Sequence, residues 1–67
     1  MAITLKAARI NAGLTQAEAA ELIGVTKVII GNWERGISFP KITLIENIEK
    51  AYGVPCSDLI FLPKKNG

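Results

Sequence analysis

One side of the segment from Lys27 to Arg35 gathers polar and small residues that can contact another molecule. A helix advances about 100° per residue, so Ile29, Ile30 and Trp33 share one arc of this segment. The opposite arc holds Lys27, Val28, Gly31, Asn32 and Arg35. Glycine inside a helix lowers helix stability by roughly 1 kcal/mol relative to alanine. Close approach of a second molecule's backbone is one reason for a glycine at this position. An ordinary solvated helix face is the alternative.

The chain offers no residue set that is typical of a catalytic site. It has no histidine, no cluster with metal-ligand spacing, no glycine-rich phosphate loop and no evident acid–base pair of carboxylates. We therefore expect no enzyme activity, no metal or other cofactor and no small-molecule ligand. The single cysteine, Cys56, cannot close an internal disulfide. It is interpreted as a small buried hydrophobe, with a redox sensor as the alternative.

Composition and charge indicate one folded domain. Hydrophobic residues make up 49% and charged residues 21% of the 67-residue chain, which is typical of a folded protein with one modest core. We predict a domain over residues 1–62 and a short basic tail over 63–67. Neither a secretory leader nor an apolar run of about 20 residues is present, so a cytoplasmic protein is expected. The net charge of +2 points only weakly to a polyanionic partner.

Glycines and prolines divide the chain into helical segments. Four glycines follow apolar-periodic segments, as helix C-caps do: Gly13, Gly24, Gly36 and Gly53. The predicted helices span about 4–12, 16–23, 27–35, 42–52 and 56–61, and no segment is typical of a strand. The sequence from Thr15 to Glu18 has the pattern of a capping box, which starts the second helix at Gln16. The expected fold class is all-α, with five short helices.

The second and third helices and the turn between them form a helix-turn-helix at about 16–35. The stretch LTQAEAAELIGVTKVIIGNWERG resembles the signature of the Cro and phage-repressor-like family, also called the xenobiotic response element family of bacterial regulators. The resemblance covers about residues 3–61 and implies a lambda-repressor-like fold. It also implies a transcriptional regulator that binds double-stranded DNA sequence-specifically in the nucleoid, such as a Cro-like repressor from a phage or mobile element.

The resemblance implies that the third helix enters the major groove of DNA. Contacts to base edges then fall on Lys27, Val28, Gly31 and Asn32. A lysine can donate to guanine, an asparagine can pair with adenine, and a valine can lie against a thymine methyl group. Val28 departs from the polar residues usual at its position, so partial burial or a protein contact is its alternative role. Ile29 is expected to be buried.

Contacts to DNA phosphates are implied for Gln16, Arg35, Ser38 and Lys41. Gln16 begins the first motif helix, where unpaired N–H groups and the helix dipole suit an anion, although it can also be an ordinary surface residue. The resemblance assigns Arg9 and Glu34 a different role. It implies that they form a largely buried, structural ion pair between the first and third helices.

A homodimer on a palindromic DNA site is expected. One module of this size buries little DNA, whereas two modules about one helical turn (roughly 34 Å) apart can read a palindrome. The family often dimerises near its last helix. There an apolar cluster is predicted to form the interface, or alternatively to cap the monomer core: Val54, Pro55, Ile60, Phe61 and Leu62.

A protein-interaction module, such as an antirepressor or an antitoxin bound to a partner protein, is the alternative function. Val28, Ile29 and Gly31 would then form an apolar contact patch.

Overall fold

The computed structural model describes residues 2–61, and it contains four α-helices and one pair of short strands. The predicted basic tail and Leu62 lie outside the described residues. In chain order the elements are β1 (Ile3–Thr4), α1 (Leu5–Asn11), α2 (Gln16–Ile23), α3 (Lys27–Glu34), α4 (Ile42–Tyr52), a 3₁₀ turn (Cys56–Asp58) and β2 (Leu59–Ile60). The mostly helical class is confirmed, and four of the predicted helices match α1 to α4 closely.

The predicted fifth helix over 56–61 is wrong, and so is the prediction that the chain contains no strand. Residues 56–58 form a single 3₁₀ turn, and the chain then runs parallel to its own N-terminal segment. Ile3 lies opposite Leu59, and Thr4 lies opposite Ile60. Two-residue strands are too short to produce a periodic pattern. Their pairing depends on the burial of Leu59 in the core, which brings the two ends of the described chain together.

Local side-chain bonds set the beginnings and ends of the helices in the motif. The predicted capping box is present, because the Thr15 hydroxyl accepts from the N–H of Glu18 while the Glu18 carboxylate accepts from the N–H of Thr15. Hydrogen bonds from Thr15 lower the pKa of Glu18. Gly24 ends α2 with a φ of 93°, a left-handed conformation that glycine adopts without steric cost. The Thr26 hydroxyl then caps α3 by accepting from the N–H of Ile29.

The core lies where α2, α3 and α4 meet. Ile23, Ile30 and Ile48, one from each helix, are its largest fully buried side chains. Trp33 is also buried, and it fixes the inner side of α3. A polar contact also joins α2 to α4, since the Asn47 amide donates to the carbonyl oxygen of Ile23 at 3.2 Å. These contacts hold α3 with one side against the domain and the other side toward solvent.

Candidate nucleic-acid interface

The two sides of α3 are divided between core and solvent much as the sequence predicts. Ile30 and Trp33 are buried, and Ile29 is half-buried and packs against the core. Lys27 and Val28 are exposed at the start of the helix, and 68% of Val28 is accessible to solvent. Neighbouring residues of the single chain therefore do not bury Val28, and that alternative is wrong in the absence of a partner.

A shallow groove between α2 and α3, here called the α2–α3 groove, collects most of the predicted DNA contacts. It is lined by Gln16, Lys27, Val28, Gly31 and Arg35. Asn32 is half-buried at the edge of this groove, and its carbonyl oxygen Oδ1 accepts from Nη2 of Arg35 at 2.8 Å. The groove thus combines two cations, one amide, one apolar side chain and one glycine, which has no side chain.

Gly31 lies deeper than the sequence suggests. Helical projection places Gly31 on the outward face, but in the structure this residue is buried. The side chains of Arg35 and Gln16 cover it, and a Cβ atom added there would lie 3.6 Å from Arg35 Nη1 and 3.8 Å from Gln16 Nε2. These are ordinary van der Waals distances, so the free protein has room for alanine at this position. Gly31 is therefore covered by the side chains of Arg35 and Gln16.

Two predicted phosphate contacts lie on the other side of α3. Ser38 and Lys41 line a second groove, the α3–α4 groove, together with Val25, Ile29, Trp33, Phe39 and Leu44. Ser38 is half-buried and Lys41 is exposed. The candidate phosphate contacts are therefore split between the two sides of α3, with Gln16 and Arg35 on one side.

An ion pair between Arg9 and Glu34 joins α1 to the end of α3. Arg9 Nε donates to Glu34 Oε2 at 2.6 Å and Arg9 Nη2 donates to Oε1 at 3.1 Å, a two-bond arrangement. The side chains are only 9% and 5% exposed, respectively. Arg9 Nη1 also donates to the carbonyl oxygen of Leu14 at 2.9 Å. The bonds to Glu34 raise the pKa of Arg9, and burial and the charge of Glu34 raise the pKa of nearby Tyr52 to about 12.

Gln16 is part of the same polar network, which sequence reasoning missed. Its Nε2 donates to Glu34 Oε1 at 3.1 Å. The two residues are 18 positions apart in the sequence, so no helical spacing signals the contact. Gln16 is therefore not an unattached surface glutamine, because Glu34 fixes which end of its amide faces the protein.

The predicted dimer cluster is divided between the core and the surface. Val54 and Phe61 are half-buried and pack against the core, as expected of residues that cap a monomer. Pro55 and Ile60 remain exposed, with 40% of Ile60 accessible. Cys56 is half-buried rather than fully buried.

None of the helices within residues 2–61 has the length and apolar character needed to cross a membrane. The same residues contain no group of three or more metal-ligating side chains.

Replacing Glu34 by glutamine is expected to destabilise the domain strongly. The substitution leaves the Arg9 guanidinium buried without an opposite charge, and this commonly costs about 3–5 kcal/mol. Urea denaturation followed by the fluorescence of Trp33, the one tryptophan of the chain, measures the loss.

Glu46→Gln is the matched control for this experiment. Glu46 pairs with Lys50 at 3.2 Å, but both side chains are more than 70% exposed, at 73% and 74%. An exposed pair one helical turn apart contributes only about 0.3–0.5 kcal/mol. Equal losses in the free energy of unfolding of the two variants would show that the buried Arg9–Glu34 pair stabilises the domain no more than the exposed pair does.

Comparison with known proteins places the chain in a family. A family model for helix-turn-helix proteins matches residues 5–59. The cryptic phage CTXphi transcriptional repressor RstR of Vibrio cholerae is 38% identical over 52 residues, which cover 78% of this chain and 47% of RstR. The chain thus spans about half the length of this curated relative, and no solved structure gives a significant match. The chain belongs to the Cro and phage-repressor-like helix-turn-helix family of DNA-binding transcriptional regulators.

Proposed function

We propose that this chain is a sequence-specific DNA-binding regulator, a Cro-like repressor of phage or mobile-element origin that acts in the cytoplasm on nucleoid DNA. It reads the major groove with the exposed side of α3. The observation that carries the proposal is the α2–α3 groove, in which Lys27, Val28 and Arg35 surround the backbone of Gly31. Similarity to a phage transcriptional repressor adds support.

Phosphate contacts on both sides of α3 fit a helix that lies between two DNA strands. Gln16 and Arg35 face one side, and Ser38 and Lys41 face the other. The amide nitrogen of Gln16 has two hydrogens, of which one binds Glu34 and the other is available for a phosphate. The backbone N–H of Gln16 at the start of α2 adds a donor with no acceptor inside the helix. Together these groups set the position of α3 but carry no sequence information.

The residues of α3 between the two sets of phosphate contacts read the bases. Lys27 presents an ammonium group that can donate to guanine, and Val28 presents methyl groups that fit beside a thymine methyl. Asn32 adds an amide at the edge of the same groove. Gly31 leaves the helix backbone free of a side chain, so that a base edge can approach once Arg35 moves to a phosphate.

Alanine substitutions are expected to separate base readout from phosphate binding. Lys27→Ala and Asn32→Ala should each relax the preference at one base pair by about 1–3 kcal/mol, whereas Gln16→Ala should weaken all sequences alike. Selection of bound sequences from a random duplex pool, followed by titrations of a selected and a scrambled duplex, measures both effects. Lys50→Ala, in an exposed pair on α4, is the control and should change neither.

A salt series distinguishes DNA reading from a protein-interaction role. The logarithm of the DNA affinity should fall with the logarithm of salt concentration, with a slope near −0.9 for each phosphate contacted. An apolar interaction module would bind DNA weakly at every salt concentration.

For the alanine variants, equal losses of affinity on the selected and the scrambled duplex for Lys27→Ala, Asn32→Ala and Gln16→Ala would contradict the division between base readout and phosphate binding.

Gly31→Ala is expected to act in opposite directions on stability and on DNA binding. The added methyl group fits in the free protein and gives the helix up to about 1 kcal/mol. In the complex it would stand between the helix backbone and the DNA. Urea denaturation should show an unchanged or higher midpoint, and the affinity for the selected duplex should fall. Unchanged affinity would mean that nothing approaches the backbone of Gly31.

We propose that two copies of the chain bind a palindromic operator as a homodimer through the region 54–62. Ile60→Lys should shift the chain toward monomers in sedimentation experiments, because Ile60 is an exposed apolar residue of this region. Ile10→Lys is the control, since Ile10 on α1 is 55% exposed and lies outside the proposed interface. A wild-type chain that binds DNA with one copy per site, or equal behaviour of the two variants, would contradict the proposal.

A further inference from the structure

Val28 is an apolar side chain on the binding side of α3 that the fold does not use. It is the second residue of the helix and 68% exposed, and it belongs neither to the core nor to the partly buried residues packed against it. A β-branched residue also forms helix slightly less well than alanine, leucine or lysine does. Neither core packing nor helix stability therefore accounts for a valine at this position.

The methyl groups of Val28 have a fixed place in the α2–α3 groove. Valine in a helix strongly prefers one χ1 rotamer, so it loses little conformational freedom when a ligand covers it. Gly31 follows one helical turn later and lines the same groove, where it adds no side chain next to Val28. Lys27 carries its charge on a long flexible stem instead. Val28 is thus the rigid apolar element of this groove.

We propose that Val28 recognises the 5-methyl group of a pyrimidine base, so that the chain binds 5-methylcytosine more tightly than cytosine at the base pair that Val28 contacts. The inference rests on the proposed function, since it specifies which chemical group Val28 meets in the major groove. A contact with thymine alone gives a fixed sequence preference. Recognition of the methyl group itself makes the affinity depend on whether the DNA is methylated.

The chemistry of the two pyrimidines leads to this assignment. In the major groove thymine presents the acceptor O4 and a methyl group, whereas cytosine presents the N4 amino donor and no methyl group. Methylation of cytosine adds a methyl group at the ring position where thymine carries its own. Valine has no donor or acceptor, so it cannot distinguish O4 from N4 and responds only to the methyl group. Covering one methyl group changes an affinity by about fourfold.

Single-base substitutions in the selected duplex test the inference. One thymine at a time is replaced by uracil, which lacks only the methyl group, and by cytosine or 5-methylcytosine with guanine opposite. For the wild-type chain, uracil at one base pair should lower the affinity about fourfold, and 5-methylcytosine there should bind about fourfold more tightly than cytosine. Both ratios should fall toward one in Val28→Ala, because alanine leaves the methyl group of the base uncovered.

Lys27→Ala is the matched control, because Lys27 is the exposed neighbour of Val28 in the same groove. It should lower the affinity for all of these duplexes but leave both ratios unchanged. Since Val28 is exposed, Val28→Ala should unfold in urea at the wild-type midpoint or above it.

Three outcomes would overturn the inference while leaving sequence-specific binding intact. The ratios could persist in Val28→Ala, they could depend on Val28 at thymine but not at 5-methylcytosine, or no thymine of the selected site could respond to uracil. A wild-type chain that selects no sequence at all would instead refute the proposed function, and the inference with it.

Discussion

The buried pairing of Arg9 with Glu34 is the constraint on which the geometry of the motif depends. Arg9 belongs to α1, Glu34 ends α3, and Gln16, which also binds Glu34, begins α2. Arg9 binds the carbonyl oxygen of Leu14 as well, so it also holds the connection between α1 and α2. A charge removed from water is tolerated only when its hydrogen bonds are satisfied, and here each partner is satisfied by the other and by neighbouring elements. The angle between the two motif helices is therefore fixed by electrostatics as well as by packing.

Fixed charges also bind the amides of Gln16 and Asn32, through Glu34 and Arg35 respectively. The carboxylate of Glu34 can only accept, so Gln16 turns its NH₂ group inward. The guanidinium of Arg35 can only donate, so Asn32 turns its carbonyl oxygen toward Arg35. An unconstrained glutamine or asparagine can rotate its amide, so either the carbonyl oxygen or the NH₂ group can face a ligand. The charged partners limit that freedom, and so each amide has a preferred orientation in the free protein.

The parts of this fold that depend on neighbouring residues could be predicted from sequence. The four α-helices, the capping box at Thr15 and the left-handed glycines follow from helical periodicity and local backbone preferences. The strand pair could not be predicted, because Ile3 and Leu59 are joined only by the folded chain. The burial of Gly31 was missed for a related reason: a helical projection shows where a residue points, but not that Arg35 and Gln16 are long enough to cover it.

The division of α3 separates what the domain needs to fold from what it needs to bind. Ile30 and Trp33 contact the core, and Glu34 closes the polar network, so a change at any of them disturbs the helix position. Lys27 and Val28 are exposed and contribute little to the core, so their side chains can differ without refolding the domain. Arg35 and Asn32 lie between these groups, because they bind each other rather than the core. The exposed side chains can therefore be changed while the frame that presents them stays the same.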